Sequence, residues 1–136
     1  MAGGGRVILL DTCTLLWLIG APEGLSPAAR QRLESSAHED TVHISAISAC
    51  EIAQKVSKGK LILLGSAGDW WNQALIHAQI KEVPIDSRIA LRAASLPPLH
   101  NDPFDRLIIA TVQELRFTLL TPDPKIRAYP DVRVLW

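Results

Sequence analysis

The stretch His100–Ala110, with the sequence HNDPFDRLIIA, is the most informative part of this chain. Asp102 followed by Pro103 predicts a helix start, because an aspartate caps the first backbone amides and proline suits the first helical position. At about 100° per residue, Asp105 then falls on the same side of the helix as Ile108 and its apolar neighbours. A carboxylate on the packed side of a helix needs a partner, and a metal ion is the partner to test.

Short apolar runs alternate with helical segments along the rest of the sequence. Strands are predicted at 6–10, 42–44, 81–85, 117–120 and 132–135, and helices at 12–19, 27–37, 46–57, 67–78, 87–95 and 103–116. This alternation indicates parallel βαβ units. The predicted fold class is α/β, a three-layer α/β/α sandwich with a central parallel sheet of about five strands. Residues 1–5 are expected to be a loose leader and 6–136 a single domain.

Composition excludes several classes of protein. A hydrophobic content of 48% in 136 residues excludes a disordered chain, and a net charge of zero argues against a broadly basic protein that coats nucleic acid. A local basic surface remains possible. The apolar runs fall far short of the roughly 20 residues that span a bilayer, so no membrane association is expected and the predicted location is cytoplasmic. With two cysteines, a disulfide scaffold or a thiolate zinc cluster is not expected.

Three more carboxylates lie near the ends of predicted strands, where parallel sheets bind their ligands. Asp11 directly follows the first strand, Asp123 comes shortly after the fourth, and Glu51 lies one turn into the helix after the second. Each also has a structural interpretation. Asp11 suits a helix cap and Asp123 a tight turn. Glu51 suits a solvated pair with Lys55, four residues on. Both interpretations stay open for each residue.

A cluster of three or four carboxylates is unfavourable without cations, since like charges raise one another's pKa. An oxygen-only ligand set suits Mg²⁺ or Mn²⁺ rather than zinc or copper. None of the four histidines has ligand spacing with another, and His100 is interpreted as a hydrogen-bonding group of its loop rather than a base. The expected cofactor is therefore Mg²⁺ (or Mn²⁺).

Four segments together resemble the PIN-domain ribonucleases, and among them the VapC-like toxins of bacterial toxin–antitoxin pairs. These segments are Leu9–Thr12, Ser45–Ile52, His100–Ala110 and Leu119–Asp123. The resemblance implies that four residues occupy the acidic catalytic and metal-binding positions of the family: Asp11, Glu51, Asp105 and Asp123. It also implies that Asp102 is an additional acid and that Thr121 is a hydroxyl residue near the metal. The prolines on both sides of Asp123 depart from an ideal match.

The function implied by the resemblance is metal-dependent endoribonuclease activity, with in-line attack that leaves a 5′-phosphate and a 3′-hydroxyl. A homodimer and a cognate antitoxin partner are implied as well. Apolar surface for them is offered by Trp17, Trp136 and the pair Trp70-Trp71, with burial in the protein's own core as the alternative for each. Arg106 and Lys55 are candidate contacts to RNA phosphates, with ordinary surface charge as the alternative for each.

Two other functions are compatible with the same sequence. A PIN scaffold that has lost catalysis would serve only as a partner-binding module, although all four acids are present. A phosphoacceptor receiver domain also places aspartates at strand ends. It needs an acidic pair after the first strand and a lysine near the last, whereas this chain has Asp11 alone and no lysine after Val132.

Overall fold

Strand β1 (Ile8–Leu10) lies at the centre of a five-stranded parallel sheet in the computed structural model, which describes residues 7–36 and 41–136. The other strands are β2 (Val42–Ser45), β3 (Lys81–Val83), β4 (Thr118–Leu120) and β5 (Arg133–Leu135). Their order is β3-β2-β1-β4-β5, and every neighbouring pair is parallel. The predicted fold class is confirmed, while the leader at 1–5 lies outside the described residues.

Seven helices and one short 3₁₀ helix (Pro22–Gly24) connect the strands within the described part of the chain. The α-helices are α1 (Thr12–Gly20), α2 (Pro27–Ser35), α3 (Ala46–Ser57), α4 (Ala67–Ala78), α5 (Ser87–Ser95), α6 (Pro103–Leu115) and α7 (Pro124–Arg127). Most begin at a side-chain cap of the kind that the sequence predicts; the Ser45 and Asp86 side chains, for example, accept hydrogen bonds from first-turn amides of α3 and α5. Among these helices, none is long and apolar enough to cross a membrane.

The core lies on both faces of the sheet, as the two-residue period of a strand requires. In β1, Ile8 and Leu10 pack on one face with residues of α1 to α4, and Leu9 packs on the other face with residues of α6. All three β1 side chains are completely buried. Trp71 is also part of this core, with its indole N–H donating to Glu82 Oε1 at 2.9 Å, so it does not provide free surface for a partner.

Most differences from the predicted boundaries have local causes. β3 ends at Val83 because Pro84 has no N–H to continue the ladder. α6 ends at Leu115 because Arg116 adopts a left-handed conformation (φ 59°), which also delays the start of β4 to Thr118. The sequence did not predict the 3₁₀ helix or α7. Residue 6 of the first predicted strand and residue 37 of the second predicted helix lie outside the described residues.

Candidate metal centre

The site lies at the point where the chain changes direction across the sheet. β1 pairs with β2 on one side and with β4 on the other, and the chain builds β2 and β3 before it crosses to β4 and β5. Such a switch point leaves a crevice outside the carboxyl ends of the two central strands. Asp11 directly follows β1, and Thr121 directly follows β4 at this crevice.

Asp11 is both a helix cap and a residue of the candidate site. Its Oδ1 accepts hydrogen bonds from the backbone amide of Thr14 at 2.8 Å and from Cys13 Sγ at 3.2 Å, which caps α1. Its Oδ2 accepts a short hydrogen bond from the Thr121 hydroxyl. The side chain is 5% exposed, so these contacts fix its orientation at the floor of the crevice. Burial raises the pKa of the Cys13 thiol, and the Asp11 carboxylate beside it raises that pKa as well.

Glu51 is held by Thr12, the first residue of α1. The Thr12 hydroxyl donates to Glu51 Oε1 at 2.6 Å and lies 2.8 Å from Ser48 Oγ. Lys55 Nζ is 3.8 Å from the other carboxylate oxygen. The predicted pair with Lys55 exists, with the lysine side chain 40% exposed and the glutamate side chain 17% exposed, so Glu51 combines this pair with a place at the crevice. The contacts of Thr12 with Ser48 and Glu51 show that this face of α3 packs against the start of α1.

Asp102 and Asp105 have different roles at the start of α6. Asp102 Oδ1 accepts from the amides of Phe104 and Asp105 at 2.8 and 3.4 Å, as predicted for the cap. Asp105, which is 22% exposed, points into the crevice instead. Burial, followed by the nearby carboxylates of Asp102, Glu51 and Asp123, raises the pKa of Asp105 to about 7 against an opposing effect of His100.

His100 joins two of the four predicted site residues. Its Nε2 lies 3.0 Å from Asp105 Oδ2 and 3.0 Å from Asp123 Oδ2. Asp123 Oδ1 accepts from the Lys125 amide at 2.9 Å and caps α7, whose first residue is Pro124. The prolines around Asp123 therefore form a helix start rather than the isolated tight turn expected, and they leave Oδ2 directed at His100.

Arg106 does not reach the crevice. Its Nη1 donates to the carbonyls of Pro97 and His100 at 3.0 and 3.2 Å, and its Nη2 donates to those of Ala93 and Leu96, both at 2.9 Å. Neither predicted role, phosphate contact or ordinary surface charge, fits a guanidinium that ties the end of α5 to the loop before α6. Arg106 is a structural residue that fixes the path of residues 96–100.

Within residues 7–36 and 41–136, His100, Asp105 and Asp123 offer ligand atoms that lie within 4.8 Å of one another. Asp11 adjoins this triplet through Thr121, whose Oγ1 also accepts from the Asp123 amide at 3.2 Å. Glu51 is connected to the same crevice through Thr12, the residue after Asp11, whose hydroxyl donates to Glu51 Oε1 at 2.6 Å. All four acids named from the sequence therefore border one site, and the residues that the sequence did not identify there are His100 and Thr12.

The sequence carries no signal for the contact between His100 and Asp123, because 23 residues separate them. His100 was interpreted as a hydrogen-bonding group of its loop. The ring does bond within the loop, where Nδ1 accepts from the Asp102 amide at 3.2 Å, and its Nε2 also contacts the two acids. A comparison of the predicted strand ends could have placed Asp123 near α6. It could not have placed the imidazole of His100 between Asp105 and Asp123.

The fold and the site define an α/β domain with an acidic centre at the switch point of a parallel sheet. The sequence model of the PIN domain matches residues 8–132, and the chain belongs to this family. It is 33% identical over 127 residues to Ribonuclease VapC22 of Mycobacterium tuberculosis, covering 93% of this chain and 94% of that protein.

Solved structures share the fold, among them a toxin–antitoxin complex from Klebsiella pneumoniae, with a TM-score of 0.63 at 21% identity over 95% of this chain and 96% of the other. The match to VapBC2 from Rickettsia felis, bound to a DNA fragment from their promoter, has a TM-score of 0.71 at 18% identity and covers 95% of this chain and 97% of the other. The match to FitAcB from Neisseria gonorrhoeae has a TM-score of 0.62 at 25% identity and covers 96% and 97% of the two chains.

Because Arg106 bonds four backbone carbonyls, we expect its replacement by another cationic side chain to destabilise the protein. We expect Arg106→Lys to lower the free energy of unfolding by about 1–3 kcal/mol, because one ammonium group cannot satisfy four carbonyls spread over residues 93–100. Urea denaturation measures this difference. Arg88→Lys is the matched control, since its side chain is 72% exposed. Equal stabilities of the two variants would contradict the structural role.

The raised pKa of Asp105 predicts a dependence of stability on pH in the metal-free protein. The unfolded chain releases this proton near the ordinary value of 3.8, whereas the folded protein retains it up to about pH 7. Between these values the folded state binds more protons, so Asp105 lowers the free energy of unfolding as the pH rises. The effect levels off above pH 7.

We therefore expect Asp105→Asn to gain stability relative to the wild type as the pH rises from about 4 to 7, as measured by urea denaturation with a chelator present. Asp69→Asn is the matched control, because Asp69 occupies the same third position of helix α4 but is exposed. It is expected to show no comparable gain. A constant difference between Asp105→Asn and wild type across this range would contradict the prediction.

Proposed function

We propose that this PIN-domain protein is a metal-dependent endoribonuclease that hydrolyses RNA phosphodiester bonds and acts as the toxin of a toxin–antitoxin pair. The observation that carries the proposal is the convergence of Asp11, Glu51, Asp105 and Asp123 on one crevice at the switch point of the sheet. The similarity to a ribonuclease of the VapC group over almost the whole chain supports the same activity.

The donor set of the crevice fits a hard divalent cation. It consists mainly of carboxylate oxygens, which suit Mg²⁺ or Mn²⁺. The pKa of Asp105 is raised first by burial and then by the neighbouring carboxylates, and a bound cation would offset both effects. Asp11 and Asp105 would be the principal ligands, with Glu51 and Asp123 binding directly or through water. When bound, the ion would lower the pKa of a water molecule and neutralise charge on the scissile phosphate.

The chain's own residues orient these carboxylates before any substrate binds. The hydroxyl of Thr121 fixes Asp11, and that of Thr12 fixes Glu51. Each donor is neutral, so it sets the direction of a carboxylate without cancelling the charge that attracts a cation. Fixed ligands lose little conformational freedom on binding, which favours a defined geometry around the reacting phosphate.

Exposed cations beside the crevice can contact the RNA backbone. Lys55, whose side chain is 40% exposed, lies next to Glu51, and the exposed Lys125 follows Asp123 in the first turn of α7. Such contacts would supply the local basic surface that a net charge of zero does not provide. Arg106 is not part of this surface because its guanidinium is engaged by four carbonyls.

The activity test is cleavage of labelled RNA by the pure protein with Mg²⁺ or Mn²⁺ and with chelator. We expect products with a 5′-phosphate and a 3′-hydroxyl, formed only with metal. Asp11→Asn and Asp105→Asn should lower the rate roughly 100-fold or more, about 2.7 kcal/mol of activation free energy, because each removes a negatively charged metal ligand. Asp69→Asn, on the exposed first turn of α4, should cleave like wild type.

Cleavage that persists in both site variants would rule out this centre as the active site. A folded wild-type protein that binds Mn²⁺ but cleaves no RNA would instead favour a PIN scaffold without catalysis.

Partners follow from the same family relationship. An antitoxin is proposed because a solved structure with the same fold is a toxin–antitoxin complex from Klebsiella pneumoniae, and a homodimer is proposed alongside it. Large apolar side chains that are at least 69% exposed support association with other chains: Ile62, Leu64, Ile76 and Leu91. Surface of this kind is usually covered by a partner when it is contiguous.

The homodimer predicts a molar mass of about twice 14.9 kDa for the isolated protein. Size-exclusion chromatography with light scattering measures it over a range of concentrations. Dissociation to half that mass on dilution would be consistent with a weak dimer. A mass near 14.9 kDa at every concentration would contradict the proposal.

A further inference from the structure

The imidazole of His100 is placed between two carboxylates of the proposed metal centre. The side chain is 10% exposed, and Nε2 is equally distant, at 3.0 Å, from Asp105 Oδ2 and Asp123 Oδ2. These three atoms lie within 4.8 Å of one another. By distance alone, Nε2 could be either a third ligand for a cation or a donor that holds the two acids.

The other ring nitrogen decides between these roles. Nδ1 lies 3.2 Å from the backbone nitrogen of Asp102, with the N–H directed at it. A backbone N–H only donates, so Nδ1 must present a lone pair and cannot carry a proton. In the neutral ring the proton is then on Nε2, the nitrogen that faces the two carboxylates. A protonated nitrogen has no lone pair for a metal ion.

The ring of His100 is held by the Asp102 amide at Nδ1, and the backbone of His100 is held on both sides. Its N–H donates to Tyr129 Oη at 2.7 Å, and its carbonyl accepts from Arg106 Nη1 at 3.2 Å. Tyr129 is buried and also donates to the carbonyl of Pro97. The loop is therefore held independently of Asp105 and Asp123, and the imidazole position is imposed on the acids.

We infer that His100 is a positioning residue: its Nε2 donates a hydrogen bond to Asp123 Oδ2, lies 3.0 Å from Asp105 Oδ2, and so holds the two carboxylates side by side to receive a divalent cation. The inference rests on the proposed function for the identity of that cation as Mg²⁺ or Mn²⁺. Two carboxylates so close together repel each other, and a shared neutral donor offsets part of this repulsion without adding a positive charge. His100 thus acts on the metal through its ligands.

The tautomer is measured on the wild-type protein without any substitution. Long-range ¹H–¹⁵N correlation spectra of the metal-free protein near neutral pH should show His100 with a proton on Nε2 and none on Nδ1. A proton on Nδ1, in either the neutral or the charged ring, would overturn the inference.

Manganese affinity, measured by calorimetry, then separates a positioning role from direct ligation. We expect His100→Ala to bind Mn²⁺ roughly 10- to 100-fold more weakly than wild type, the usual effect of removing a partner of a metal ligand. His100→Gln should bind within a few-fold of wild type, because its side-chain amide can donate where Nε2–H does. His77→Ala and His77→Gln are matched controls at an exposed position of α4 and should bind like wild type.

Two results would overturn the role of His100: unchanged affinity in His100→Ala, or a loss in His100→Gln as large as in His100→Ala, which indicates direct ligation. Neither measurement uses RNA. A wild-type protein that binds Mn²⁺ without cleaving RNA would count against the proposed nuclease alone, whereas a wild-type protein that binds no Mn²⁺ would overturn both proposals.

Discussion

Crowding of negative charge at one edge of the sheet is the constraint on which the site depends. Parallel strands end on the same side, so Asp11 after β1 and Asp123 after β4 are brought together by the sheet itself. Helices α3 and α6 add Glu51 and Asp105 to the same crevice. Asp105 is the member whose pKa is raised to about 7, because burial and three neighbouring carboxylates together disfavour its charge.

Apart from the pair of Glu51 with the half-exposed Lys55, the protein organises these acids mainly with hydrogen-bond donors that leave their charge in place. Thr121 and Thr12 donate through hydroxyl groups, and His100 contacts its two acids through one ring nitrogen. The guanidinium of Arg106 donates to backbone carbonyls and does not face the crevice. A guanidinium inside would pair with the carboxylates and compete with a metal ion. Neutral donors fix geometry and leave the negative charge available, which is the arrangement that a cation-dependent site requires.

Local rules were sufficient to predict most of the fold and the presence of the acids at the strand ends and helix starts. Caps such as Ser45 and Asp102 lie where their sequence neighbours indicate, and the alternation of apolar runs predicts the parallel sheet. Contacts between distant segments could not be predicted. The ring of His100 meets Asp123 only because the loop before α6 and the start of α7 pack together, and no periodicity within either segment encodes that meeting.

The string from His100 to Arg106 behaves as one unit, which explains why its residues need one another. Arg106 fixes the loop carbonyls, Asp102 starts the helix and also directs its own N–H at the His100 ring, and that ring then contacts Asp105 one turn further on. Removing Arg106 would therefore disturb the acids without touching them. The sheet brings the carboxylates to one edge, but this seven-residue string determines how two of them are oriented toward each other.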